Sequence, residues 1–160
     1  MIILGIDPGL SITGYAIMKK ENHTTSVLDY GRICFSTKDS LESRVGQFYA
    51  AFYEKIIQAQ ITHIALETPF LGKNAQNFLK LGYLRGIVYL LADQHRITVE
   101  EFAPRTIKQA ITGSGAAQKD QVARVIQRLF KGIENPESYD VTDALAVTLC
   151  GIWKSSATKV

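Results

Sequence analysis

Four carboxylates stand out by where they fall in the chain. Asp7 closes the apolar run Ile2-Ile3-Leu4-Gly5-Ile6 and precedes Pro8-Gly9; Glu67 closes His63-Ile64-Ala65-Leu66 just before Thr68-Pro69. Both stand at the carboxyl ends of strand-like segments, where open α/β sheets keep their ligand sites. Asp140 and Asp143 open the last apolar segment at a spacing that puts them on one face of a helix. Each also fits a purely structural role. Asp before Pro-Gly forms turns, a Glu on a buried strand can pair with a Lys or Arg, and Asp in a first helical turn complements the dipole. A lone buried carboxylate is costly unless it is paired or bound to metal, so four that converge call for a cation. Oxygen donors without Cys or His select Mg²⁺ or Mn²⁺ over zinc. Two such ions about 4 Å apart activate a water and stabilise the leaving oxygen in phosphodiester hydrolysis. Convergence of the four is the expectation on which this chemistry depends.

The elements that must bring them together can be read from the hydrophobic period. The β-branched run 2–6 reads as a buried strand, 14–19 as a second and 25–35 as a third, with connectors short enough for an antiparallel meander. The period then changes: Leu41, Val45, Phe48, Phe52 and Ile56 recur at helical spacing behind Asp39-Ser40. A strand at 63–67, a helix over 74–93 and a strand at 98–102 follow. Pro104 opens a short helix ending near Gly113, Val122 to Leu129 marks another, and the last covers 140–153. The fold class is therefore α/β: a five-stranded mixed sheet, antiparallel meander plus two parallel strands, flanked by helices on both faces.

The composition bounds what this arrangement can be. With 160 residues, 46% hydrophobic and 21% charged, the chain is sized for one domain, expected over 1–154, with 155–160 a short tail. No signal peptide is read at the N-terminus, and the longest apolar-dominated run, 144–153, falls short of the roughly 18–20 residues a bilayer needs. Cys34 and Cys150 lie in apolar contexts without CxxC spacing and are expected to be buried free thiols, as suits a reducing cytoplasm. A net charge of +3 is weak evidence for a nucleic-acid partner. Setting four metal-bound carboxylates aside raises the basic excess of the remaining surface to +7, which suits phosphate contacts that weaken with salt.

The motifs resemble those of the RuvC family of Holliday-junction resolvases. The similarity lies in Ile3-Leu4-Gly5-Ile6-Asp7-Pro8-Gly9 with Thr13-Gly14-Tyr15, in Leu66-Glu67 with Phe70 and Lys73-Asn74-Ala75, and in Leu79-Lys80-Leu81-Gly82 with Arg85-Gly86. It continues through Ala103-Pro104-Arg105 with Lys108-Gln109, Gly115 to Lys119, Asn135-Pro136, Asp140 and Asp143-Ala144-Leu145-Ala146, in family order over nearly the whole chain. The resemblance implies an RNase H-like fold and a cytoplasmic homodimer that nicks two opposed strands of four-way junction DNA. It assigns the metal to Asp7, Glu67, Asp140 and Asp143, with two Mg²⁺ per subunit and Mn²⁺ able to substitute. It places Lys108 and Lys119 near the scissile phosphate, gives Lys73 and Arg105 DNA contacts, and makes Phe70 an aromatic that inserts at the open bases. RuvA and RuvB, the branch-migration proteins, are the implied partners.

Several of these residues fit plainer roles as well. Lys108 and Lys119 could be solvated surface lysines, Phe70 a core aromatic, and the Gly82/Gly86 pair an ordinary packing seat within the domain or a seat for a second subunit. Gly5 to Gly9 with Thr13-Gly14-Tyr15 also resembles the phosphate loop of actin-like ATPases and sugar kinases, which need a second such loop. The RNase H-like nucleases that process ribosomal RNA precursors, and a junction-binding scaffold without catalysis, are the remaining alternatives.

Overall fold

A computed structural model describes residues 1–69, 75–132 and 139–157. Strands β1 (Ile2–Asp7), β2 (Ile12–Glu21) and β3 (Thr24–Cys34) form the meander, followed by helix α1 (Leu41–Ala59) and strand β4 (His63–Glu67). Helix α2 (Ala75–His95), strand β5 (Thr98–Phe102) and helices α3 (Pro104–Thr112), α4 (Lys119–Leu129) and α5 (Tyr139–Ala157) complete the chain. The sheet order is β3-β2-β1-β4-β5. β2 runs antiparallel to both β1 and β3, whereas β4 runs parallel to β1 and to β5. This is the mixed sheet expected from the sequence. The last helix, however, runs on to Ala157.

Strand alternation sorts the core into two layers. Leu4, Ile6, Ile64 and Leu66 pack with Phe48, Phe52, Leu84, Val88 and Leu91, so α1 and α2 cover one face. Ile3 and Ala65 pack with Ile107, Ile126, Leu145 and Val147, so α3, α4 and α5 cover the other. Side chains on a strand share a face every second residue. Asp7 therefore faces the α5 side with Ile3 and Gly5, and Glu67 faces it with Ala65. Because Ile6 is in register with Leu66, the two carboxylates come off the ends of adjacent parallel strands on one face.

The same alternation corrects the expectation for Cys34, which is exposed, whereas Cys150 is buried. Its apolar neighbours Ile33 and Phe35 point to the opposite face of the strand, and β3 is an edge strand. Burial of the Cys150 thiol, reinforced by the charge of Glu67, pushes its pKa up to about 12. Among the described residues no helix is long and apolar enough to cross a membrane.

Helix α5 can lie this close to the sheet because two strand positions have no side chain. A Cβ on Gly5 would stand 1.9 Å from Thr148 Oγ1, and one on Gly14 would stand 2.0 Å from the Asp140 carbonyl oxygen. The second contact sets the height of the first turn of α5, and with it Asp140 and Asp143, above β1 and β2. Gly14→Ala is expected to lift that turn at a cost of roughly 1–3 kcal/mol. Thermal denaturation should show Tm lower by about 2–10 °C, and an unchanged Tm would contradict so close a seat.

Candidate active site

Asp7, Glu67 and Asp143 line one basin of about 190 Å³, together with Lys108, Lys119 and the apolar Ile107 and Val122. Three distant stretches of chain supply the carboxylates. A turn braced by Thr13, whose hydroxyl donates to the Gly9 carbonyl and accepts from the Gly9 amide, follows Asp7. Arg44 steadies the same turn by donating from Nη1 to the Leu10 carbonyl at 3.2 Å. Beyond Glu67, the Thr68 amide and hydroxyl both donate to the Phe102 carbonyl, tying the end of β4 to β5.

The lysines come from the short helices. Pro104 starts α3 and also lines the basin. The α3–α4 loop is clamped by Gln109, which donates to the Gly113 carbonyl and accepts from the Gly115 amide. A capping box between Gln118 and Gln121 then starts α4, with Lys119 as its first residue. A cation in the first turn opposes the helix dipole; the carboxylates opposite offset this. Lys119 Nζ donates to Asp143 Oδ2 at 2.7 Å, with the Asp143 side chain 15% exposed.

The electrostatics follow from burial and proximity. Desolvation, then the charges of Asp143 and Asp140, raise the pKa of Asp7 to about 7 against the pull of Lys119. Desolvation, then Asp7 and Asp143, raise that of Glu67 to about 8, opposed by Lys119 and Lys108. Burial lowers the pKa of Lys119, but its hydrogen bond to Asp143 and the attraction of Asp143, Asp7 and Glu67 carry it above its ordinary value.

The expected convergence therefore extends to Asp7, Glu67, Asp143, Lys108 and Lys119. Asp140 does not line the basin; it acts on Asp7 by charge from the turn below. Arg105 is exposed on α3 and packs its stem across Gly115. Phe70 and Lys73 lie outside the described residues. Gly82 and Gly86 have no atom within 4 Å of a hypothetical Cβ, so they are not a packing seat within the described residues. Arg85 lines a second hollow beside the basin, together with Asp7 and Glu67; in the sequence it appeared only as part of the Arg85-Gly86 motif. A larger hollow of about 500 Å³, between β3 and the end of α4, is bordered by the carboxylate of Asp29, which is paired with Lys55.

Among the described residues no three His, Cys, Asp or Glu already stand at the spacing of a closed metal cage. Lys119 holds one Asp143 oxygen instead. The donor set nonetheless fits a hard dication: the carboxylates offer only oxygen donors, and Asp7 and Glu67 are desolvated beside the charge of Asp143.

Comparison with known proteins locates this arrangement. The family model described as "Crossover junction endodeoxyribonuclease RuvC" matches residues 3–151. A protein of that description from Pelodictyon phaeoclathratiforme is 40% identical over 157 residues, 98% of this chain and 82% of the relative. The Thermus thermophilus RuvC structure superposes with a TM-score of 0.88 at 25% identity, covering 99% of this chain and 97% of that one. The structure described as T. thermophilus RuvC in complex with Holliday junction substrate gives 0.89 at 26% identity, covering 97% and 94%.

The raised carboxyl pKa values make the metal-free protein pH-sensitive. An acid whose pKa is higher folded than unfolded favours folding most below its unfolded value, about 4. That contribution is lost as the pH rises through about 7 for Asp7 and about 8 for Glu67. In EDTA, Tm is expected to fall between pH 5 and 9, and Asp7→Asn to flatten the fall. A Tm–pH curve identical in the two proteins would refute mutual destabilisation of the carboxylates.

Proposed function

Because the chain belongs to the RuvC family of crossover junction endodeoxyribonucleases, we propose that it resolves four-way DNA junctions by paired, symmetric nicks during recombination and repair. The family is a metal-dependent nuclease family. The observation that carries the proposal is the shared basin of Asp7, Glu67 and Asp143 faced by Lys108 and Lys119. Asp7, Glu67 and Asp143, with Asp140 completing the set, would hold Mg²⁺, two ions per subunit, with Mn²⁺ as a substitute. When bound, the ions activate a water and stabilise the leaving 3′ oxygen.

The side chains of the chain itself do the rest. Lys119 supplies positive charge to the carboxylate cluster and, once released from Asp143, is free to contact the scissile phosphate. Lys108 draws the same phosphate in from α3. Arg105 on the exposed side of α3 contacts the DNA, as does Lys73, and Phe70 inserts at the open bases of the junction. The whole chain forms one nuclease unit whose last helix runs on to Ala157, and RuvA and RuvB act on the same junction.

Two symmetric cuts need two sites related by a twofold axis. The outer side of α2 supports a homodimer: Leu79, Tyr83 and Leu90 are 60%, 46% and 46% exposed. Gly82 and Gly86 beside them leave open space for a facing backbone. These positions recur at helical spacing and form one stripe. Tyr83→Glu is expected to convert the dimer to monomer in sedimentation velocity at micromolar concentration; a sedimentation coefficient unchanged from wild type would exclude this face.

The decisive test of the reaction is Asp7→Asn on a synthetic four-way junction. Nicking in Mg²⁺ is expected to fall roughly 10³-fold, the scale of losing one charge-stabilising group in an active site. Gel-shift affinity for the junction should be retained. Undiminished nicking would refute the assignment, and cleavage of linear RNA as fast as of junction DNA would favour an RNA-processing nuclease.

A further inference from the structure

We propose that Arg44 is a positioning residue for Asp7. From helix α1, on the face of the sheet opposite the basin, it pins the turn that follows Asp7 and so keeps that carboxylate within the metal-binding cluster. The proposal rests on the nuclease reading for what the cluster does.

Asp7 is the last residue of β1, and its place depends on the turn of residues 8–11 that leads into β2. That turn is stiff. Pro8 has a fixed φ, Thr13 closes Gly9 through two hydrogen bonds, and a Cβ on Gly9 would stand 2.0 Å from the Ile12 carbonyl oxygen. These contacts fix the shape of the turn but not its seat on the protein. Leu10 gives part of that seat, partly buried against the core layer of α1. The Phe35 amide donates to the Ser11 carbonyl at 2.8 Å, and Arg44 Nη1 donates to the Leu10 carbonyl at 3.2 Å. Phe35 lies just beyond an edge strand, whereas Arg44 belongs to a 19-residue helix rooted in the core by Phe48, Phe52 and Ile56. A stiff turn hands any shift at Leu10 back to Asp7.

The state of Arg44 shows how much is invested in this contact. Arg44 is partly buried, and among the described residues its guanidinium has the Leu10 carbonyl as its polar partner and no carboxylate. Its Nε is buried without an acceptor, which helps to fix the guanidinium in place. A cation withdrawn from water without a counter-charge is unfavourable, and a neutral donor on α1 would close the same bond at less cost. Charge makes the bond stronger, and Asp7 puts a load on the turn. Asp7 is desolvated beside Asp143 and Asp140, whose charges repel its carboxylate. Glu67, under a similar load, is followed by a brace of its own, the Thr68 amide and hydroxyl on the Phe102 carbonyl.

The test compares wild type, Arg44→Met and Arg44→Lys in two measurements. One is Mn²⁺ titration of the DNA-free protein, read by electron paramagnetic resonance of the free ion; the other is single-turnover nicking of a synthetic four-way junction in Mg²⁺. Arg44→Met is expected to bind Mn²⁺ roughly tenfold more weakly and, at saturating protein, to nick roughly 10²-fold more slowly. Its gel-shift affinity for the junction in Ca²⁺ should be little changed. Arg44→Lys, which keeps a charged donor, should recover most of both losses. Should Arg44→Met lose its cooperative melting, Arg44→Gln decides on the same readouts. Unchanged Mn²⁺ affinity and nicking overturn the brace. So does a loss of junction affinity with Mn²⁺ binding and saturated nicking intact, which would make Arg44 a DNA contact instead. A wild type that nicks no junction refutes the proposed function, and the Mn²⁺ titration still settles whether Arg44 holds the cluster.

Discussion

Negative charge withdrawn from water, among neighbours of the same sign, is the constraint around which this molecule is arranged. Asp7 and Glu67 leave the ends of two adjacent parallel strands on the same face, and Asp143 descends on them from a buried helix. Desolvation raises the proton affinity of Asp7 and Glu67, and the charge of Asp143 adds to both. A fold keeps such a group of residues only if positive charge arrives from elsewhere. Among the described residues that charge comes from Lys119, held against Asp143, and from Lys108.

That demand explains features that are otherwise unfavourable. A lysine as the first residue of α4 works against the helix dipole, and the two preceding loop clamps, Gln109 on Gly113 and Gly115 and Gln118 on Gln121, hold it there. Helix α5 carries threonines among apolar residues, yet Thr148 is fully buried because its hydroxyl donates to the Ala144 carbonyl above the side-chain-free Gly5. Close seating of α5 brings Asp143 into the basin while leaving Asp140 a turn lower, beside Gly14. The two acidic residues at the head of one helix therefore act at different distances on the same centre.

Helix α2 serves two surfaces at once. Its inner side sends Leu84, Val88 and Leu91 into the core, and Leu81 and Arg85 toward the hollow beside the carboxylates. Its outer side carries the glycines and the exposed Leu79, Tyr83 and Leu90. A rigid helix that is both the proposed dimer face and one wall of the hollow beside the carboxylates would fix the separation and orientation of the two sites in that dimer. Paired cuts on a twofold-symmetric substrate require this relation.

Much of this was legible in the sequence, for a local reason. The β-branched runs, the shift from period two to helical period, and the Pro and Gly punctuation each act over a few residues, so the order of elements could be read directly. The strand-end positions of Asp7 and Glu67 followed from the same patterns, and family motifs marked Lys108, Lys119 and Asp143. Local context misled where a neighbour's character was taken for a residue's own: Cys34 sits between Ile33 and Phe35, but adjacent residues on an edge strand face opposite ways. What only the tertiary structure decided is which distant segments share a face. The placement of Lys119 on Asp143 and the seating of Asp140 beside Gly14 depend on strand pairing and on the depth to which α5 sinks, whereas the open space around Gly82 and Gly86 depends on how α2 packs on the opposite face. Those are set by contacts between residues tens of positions apart, and no periodicity along the chain encodes them.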